Sequence, residues 1–199
     1  MSCISVNKIN QSTVPNLKTF IIFEPFAFKH PTTILIAGPT MSGKTHFVMK
    51  TLKFNQIQPK PNRLIWIYGE WQQAYDEARV FFPMIEFYPD LTEDLYESIN
   101  AKERNLLILD DKMSDENGSK FLSKIFTQGA HLRNLTVIFI VQNLFHQGKN
   151  MRTISLNCHY IIVFQNPRDK GQIQILGSQI YPQKSKFLVC AYRDATAQR

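Results

Sequence analysis

Apolar residues in this chain gather in short runs, and between the runs they recur at roughly every third or fourth position. The runs Thr33 to Ala37, Leu64 to Tyr68, Leu106 to Leu109, Thr136 to Val141, Tyr160 to Phe164 and Phe187 to Ala191 are rich in Ile, Val, Leu and aromatics. Most do not alternate with polar residues, the pattern of strands covered on both faces. The intervening stretches predict helices over Gly43 to Phe54, Glu70 to Phe81, Thr92 to Asn100, Gly118 to His131 and Lys170 to Leu176. Strand and helix alternate, so the expected fold class is α/β, with a mainly parallel sheet flanked by helices. The aromatic-spaced segment Glu24 to His30 fits either an edge strand or an arm. No repeat or linker divides the chain, which predicts a lead over residues 1–30 and one domain over 31–199.

Composition narrows the class. A chain of 199 residues that is 44% hydrophobic and 20% charged matches a globular protein and excludes disordered and collagen-like classes. Every apolar run is far shorter than the roughly 20 residues a bilayer span needs, so no membrane partner is expected. The start, MSCISVNKINQS, has neither a basic region nor an apolar core, which argues against secretion. Cys3, Cys158 and Cys190 are scattered with no CxxC pair, as expected for reduced thiols in a cytosol-like compartment. The net charge of +7 is unevenly spread: residues 1–63 hold eight Lys/Arg against one acid, 64–118 four against thirteen, and 119–199 eleven against two. Basic flanks suit a polyanion-binding face, and equally a solvated basic surface.

Directly after the run Thr33 to Ala37 stands Gly38-Pro39-Thr40-Met41-Ser42-Gly43-Lys44-Thr45, a complete GxxxxGK[ST] between a predicted strand and a predicted helix. Gly38 and Gly43 let the backbone curl so that successive N–H groups face a phosphate, and the helix N-terminus adds its positive dipole end. Lys44 is placed to reach the β- and γ-phosphates, and Thr45 to offer a hydroxyl to Mg²⁺, a hard cation that prefers oxygen. The expected cofactors are therefore ATP and Mg²⁺.

A phosphate loop does not by itself separate kinase, GTPase and ATPase. The run Leu106 to Leu109 ends in Asp110-Asp111, a buried strand opening at the ligand crevice of a parallel sheet. Asp110 is then the candidate for holding Mg²⁺, and Asp111 for orienting and polarising the attacking water. Neighbouring strand residues point to opposite sides, which favours two roles over one shared proton. The run Thr136 to Val141 ends in Gln142-Asn143. The Gln142 amide both donates and accepts, so it suits a γ-phosphate and a lytic water, or simply caps the strand end. His46, His131, His146 and His159 lack ligand spacing and read as structural or surface residues.

Together these motifs resemble the FtsK/HerA-type ATPases, and within them the genome-packaging ATPases of poxvirus-like, adintovirus and Polinton-type DNA elements. The resemblance runs from about Pro31 to Pro182 through AGPTMSGKT, IWIYGEWQ, LLILDD, HLRNLTVIFIVQNLFHQG and YIIVFQNPRDKGQIQILGSQIYP. It implies a P-loop NTPase of the additional-strand type, with Lys44 and Thr45 on phosphate and Mg²⁺, Asp110 on Mg²⁺, and Gln142 sensing the γ-phosphate. Asp111 stands where cellular relatives usually carry Glu, while the viral branch commonly reads Asp-Asp. The resemblance further implies a homo-oligomeric ring with an arginine supplied by a neighbour. Arg133, Arg152 and Arg168 are the candidates, and Arg133 is favoured. Relatives usually continue past the Phe187 to Ala191 run with a further strand, so a chain stopping at Arg199 reads as a fragment, a truncated gene or a minimal form.

The expected function is an ATP-driven double-stranded DNA translocase that packages a viral genome. Its partners would be DNA, copies of itself and a capsid or portal-vertex protein, at virus assembly sites in the host cytoplasm or nucleus, or in the virion. The alternatives are a replication helicase-like ATPase on single-stranded nucleic acid and a slow nucleotide-dependent docking switch.

Overall fold

The computed structural model describes residues 26–110, 121–145 and 149–197. Six strands form one sheet: β2 (Thr33–Ala37), β4 (Arg63–Tyr68), β5 (Ile85–Tyr88), β6 (Asn105–Asp110), β7 (Leu135–Val141) and β8 (Tyr160–Val163). Their order is β5-β4-β6-β7-β2-β8, and every pairing is parallel. A separate two-residue pairing joins β1 (Phe28–Lys29) to β3 (Ile57–Gln58), so the segment left open as strand or arm contributes a short strand.

The burial of each strand follows its place in the sheet. The inner strands β2, β6 and β7 are buried at every residue, which is why their sequences are apolar without alternation. The edge strand β5 is short and carries Glu86, which forms a two-pronged ion pair with Arg63 of β4 at 2.7 and 2.9 Å. Its pattern held no apolar run, and the sequence reading missed it.

Helices α1 (Lys44–Lys53), α2 (Gln73–Phe81) and α3 (Glu93–Glu97) fall within the predicted stretches. Thr92 caps α3, its hydroxyl accepting from the Leu95 N–H at 3.2 Å. Helix α4 spans residues 121–132 and includes a π-type turn at Ile125–Gly129; the predicted start at Gly118 lies outside the described residues. Helix α5 (Lys149–Leu156) was not anticipated, and α6 (Gly171–Ile180) was.

One predicted strand is corrected. Phe187 to Ala191 lies within helix α7 (Ser185–Ala197). Ser185, Leu188, Val189, Cys190, Tyr192 and Thr196 are half-buried while Phe187 is exposed, a mainly helical spacing that the five-residue apolar run masked. By its internal contacts the chain forms two units. Among the described residues, one spans the range Ala27–Gln172 and holds the sheet; the other contains Ile173–Ala197.

Candidate nucleotide-binding site

The loop Gly38–Gly43 leaves the C-terminal end of β2 and enters α1. Two glycines are required for identifiable reasons. A Cβ on Gly38 would lie 2.6 Å from Cβ of Phe164 and 2.9 Å from Oγ of Ser42, so a side chain there would close the loop. Gly43 caps α1 with φ of 94°, in the left-handed region that other residues enter at a cost. Met41 also has positive φ, at 63°, which marks how tightly the chain curls. The Gly38 N–H donates to the Val141 carbonyl at 3.2 Å, tying the start of the loop to the end of β7. Phe164 follows β8 and packs edge-on against Phe47 of α1, with ring centroids 5.9 Å apart. Phe164 thus floors the loop, a role with no signal in the sequence beyond an apolar residue at a strand end.

The Lys44 ammonium donates to the Gly38 carbonyl at 2.7 Å and the Pro39 carbonyl at 2.9 Å, which places a cation over the curl. Ser42 Oγ is buried and has no hydrogen-bond partner among the described residues. A curl that one methyl would fill, an orphaned hydroxyl, a lysine and the N-terminus of a ten-residue helix together fit a phosphate group. Thr40 is exposed beside Met41 at the outer turn of the loop.

Asp110, only 3% exposed, ends β6. Its Oδ2 accepts from the Thr45 hydroxyl at 3.1 Å and from the Tyr75 hydroxyl at 2.9 Å. The Thr45 hydroxyl and the Asp110 carboxylate form a hard-oxygen pair beside the phosphate loop, a donor set suited to Mg²⁺. Tyr75 was missed by the sequence reading, because a tyrosine in the polar stretch QAYDEAR gives no hint of what its hydroxyl meets. Asp111 lies outside the described residues.

Gln142 follows β7, and β7 sits between the loop strand β2 and the Asp110 strand β6. The exposed Gln142 therefore stands on the crevice edge between the two halves of the site. Its neighbour Asn143 serves the turn, with Oδ1 accepting from the Phe145 N–H at 2.9 Å. The Leu144 N–H donates to Oε1 of Gln172 at 3.0 Å.

Arg133 is not brought to this end of the sheet. It precedes β7, about 20 Å from the loop by strand rise. Its guanidinium donates to the carbonyls of Glu97 and Ile99 at 3.2 and 3.3 Å and lies 4.5 Å from the Tyr96 ring centroid. Arg168, exposed beyond the end of β8, lies on the same edge as the loop, while Arg152 is exposed on α5.

Other candidate features fall away from this site. A cavity of about 260 Å³ lined by Leu52, Ile57, Leu64, Phe82 and Ile85 lies toward the N-terminal ends of β4 and β5. Burial pushes the Cys158 thiol up to about 12, so it is not a nucleophile at neutral pH. His159 bonds Thr33, and His30, which the sequence reading passed over, bonds Thr136 at 2.7 Å and Asn134 at 3.0 Å. Among the described residues no three His, Cys, Asp or Glu cluster as metal ligands, and no helix is long and apolar enough to cross a membrane.

Sheet order and loop geometry define a P-loop NTPase fold with an additional strand between the phosphate-loop strand and the acidic strand. No family model and no curated protein matches the chain. Among solved structures it is similar to B204, the DNA-packaging ATPase of Sulfolobus Turreted Icosahedral Virus, with a TM-score of 0.54 and 14% identity over 80% of this chain and 87% of that one. It is also similar to the genome packaging NTPase B204 of Sulfolobus turreted icosahedral virus 2 in complex with ATP-gammaS, with a TM-score of 0.53 and 14% identity over 79% and 86% of the two chains. At such identity the likeness establishes the fold.

Proposed function

We propose that this chain is an ATPase that drives double-stranded DNA into a viral capsid. The observation that supports the reading is the strand order, in which β7, the strand that Gln142 follows, lies between β2, which leads into the Lys44–Thr45 loop, and β6, which ends in Asp110. The DNA-packaging activity named for B204, on the same fold, supports the substrate.

In this reading Lys44 exchanges its loop carbonyls for the β- and γ-phosphate oxygens of ATP, and the loop N–H groups hold the β-phosphate. Thr45 and Asp110 would hold Mg²⁺, which when bound neutralises charge on the β- and γ-phosphates. Gln142 donates its amide N–H to the γ-phosphate and accepts a hydrogen bond from the attacking water. Asp111 takes that water's proton as the new P–O bond forms and the bond to the ADP oxygen breaks. The basic C-terminal third meets the DNA backbone.

Arginine supplied by a neighbouring copy completes the site in a ring, where such a residue raises turnover by about 10³ to 10⁵. Arg133 is the first choice from sequence. Arg168 is the second, supported by its exposed place on the loop's edge, whereas the Arg133 guanidinium is engaged within its own chain. Mixing a Lys44→Ala chain with an Arg168→Ala or Arg133→Ala chain separates them: the true donor restores activity on mixing.

The deciding experiment measures ATP turnover with and without duplex DNA, together with the mass of the assembly. Stimulation by duplex in a multimer is expected, with affinity that falls steeply as salt rises and depends little on sequence. Preference for a forked substrate with unwinding would favour the helicase reading, and slow turnover indifferent to DNA the docking switch.

A further inference from the structure

From α2, the hydroxyl of Tyr75 reaches the candidate cation site. Its side chain is fully buried, and the ring is held on several sides: by Trp66 with centroids 5.3 Å apart, by Trp71 and Phe87 at 5.5 Å each, and by Tyr68 at 6.0 Å. A ring held this way fixes its hydroxyl oxygen in space. That hydroxyl donates to Oδ2 of Asp110 at 2.9 Å, the same oxygen that accepts from Thr45 at 3.1 Å. A hydroxyl donating to a carboxylate forms one of the stronger hydrogen bonds a protein offers. Asp110 has two jobs that conflict if it swings: to orient the Thr45 hydroxyl and to face a cation. Two donors on one oxygen, from α1 and from α2, pin the carboxylate against that motion. Thr45 can donate its proton to Asp110 while its lone pair faces the cation, but a single bond leaves the carboxylate free to pivot about it, and the second donor removes that freedom.

We propose that Tyr75 is a positioning residue, its hydroxyl locking the Asp110 carboxylate in the orientation that receives the nucleotide's divalent cation. The proposal rests on the reading of Asp110 as the cation-holding carboxylate. Groups that orient metal ligands are worth about 10- to 100-fold in metal affinity, so loss of the hydroxyl acts on the cation and not on the phosphate loop.

The test uses the full chain with Mn²⁺ as a paramagnetic probe, titrated in the presence of ATP-gammaS, alongside the Mg²⁺ dependence of ATP hydrolysis. Tyr75→Phe is expected to raise the half-saturating concentration of both cations by about 10-fold. Hydrolysis returns when Mg²⁺ is raised, and nucleotide affinity in EDTA does not change. Phe87→Leu removes one of the four ring contacts while the hydroxyl and its bond to Asp110 remain, and is expected to lower the melting temperature with a shift in cation half-saturation far smaller than that of Tyr75→Phe. Replacing Tyr75 with 4-aminophenylalanine keeps both ring and donor, and is expected to hold the wild-type value even if Tyr75→Phe folds poorly. Wild-type cation dependence in Tyr75→Phe, an equal shift in Phe87→Leu, or a 10-fold rise with 4-aminophenylalanine would each overturn the proposal. Asp110→Asn separates the two levels. If it binds Mn²⁺ as the wild type does, the assignment of Asp110 falls; if it loses Mn²⁺ while Tyr75→Phe does not, only the role of Tyr75 falls.

Discussion

The two ends of the sheet are built on opposite principles. At the N-terminal ends of the strands, polar side chains are committed to the chain itself. Asn105 is fully buried and its amide nitrogen donates to the carbonyls of Asn100, Glu103 and Arg133 at 2.8, 2.9 and 3.3 Å, although its Oδ1 is buried with no hydrogen-bond partner among the described residues. Asn134 donates to the Glu103 carbonyl at 2.8 Å, Arg104 to the Lys60 carbonyl at 2.7 Å, and His30 joins Thr136 to Asn134. At the C-terminal ends the same sheet carries a glycine curl, an orphaned serine hydroxyl, an exposed glutamine and a carboxylate pinned on one oxygen. Polar groups that satisfy one another hold a fold together. Groups set out at a crevice are arranged for something that arrives, as expected at the carboxyl ends of a parallel sheet. Apart from Asn105 Oδ1, polar groups engaged within the chain thus predominate at one edge, and the candidate site lies at the other.

The sharpest test of that division is Lys44→Ala, expected to lower ATP turnover by at least about 100-fold while leaving the melting temperature unchanged. A melting temperature that fell with activity would mean the loop edge also supports the fold. Gly38→Ala is the expected exception on this edge, since its methyl would meet Phe164 and Ser42. Overpacking of about 1–3 kcal/mol should appear in denaturant unfolding, together with loss of nucleotide binding.

The opposite edge should behave the other way. Asn105→Ala removes the donor to three carbonyls and is expected to cost about 1–3 kcal/mol with turnover per folded molecule retained; lost turnover in a stable protein would break the comparison. The smallest effect is expected at the Arg63–Glu86 pair. The Arg63 hydrogen bond, ahead of the opposing effect of burial, holds the Glu86 carboxyl below its ordinary value of 4.5. A depressed carboxyl contributes stability that is complete above about pH 4.5 and fades as pH falls through the folded-state value. Solvent screening keeps the pair to about 0.2–1 kcal/mol. Glu86→Gln should therefore melt slightly below the wild type at pH 7, and the two curves should converge in acid.

What could be read from sequence divides along the same lines. The inner strands β2, β6 and β7 were legible because burial on both faces forces unbroken apolar runs. The phosphate loop was legible because its chemistry needs fixed residues at fixed spacing. The edge strand β5 was not, since three of its four residues are only partly buried and its Glu86 answers to Arg63. Phe187 to Ala191 read as a strand because five apolar residues in a row satisfy either period, and only the half-buried Tyr192 and Thr196 further on reveal the helix. Phe164 and Tyr75 were invisible as site residues, because one acts by contact with a glycine and the other through a bond across two elements. For Arg133, nothing local in the sequence foretold the carbonyls of Glu97 and Ile99 that its guanidinium meets within its own chain.

The aromatic cluster around Tyr75 has an optical consequence. The chain's two tryptophans, Trp66 and Trp71, both stack within 5.5 Å of that ring, the first fully buried and the second 40% exposed. Trp66 Nε1 is buried with no hydrogen-bond partner among the described residues, so its emission should lie to the blue, and Trp71 should supply the red, quencher-accessible component. Every tryptophan photon from this molecule thus originates one side chain away from the group that touches Asp110. The unmodified protein carries its own fluorescent reporter of that carboxylate, and a Trp66→Phe chain would leave a single reporter at the crevice surface.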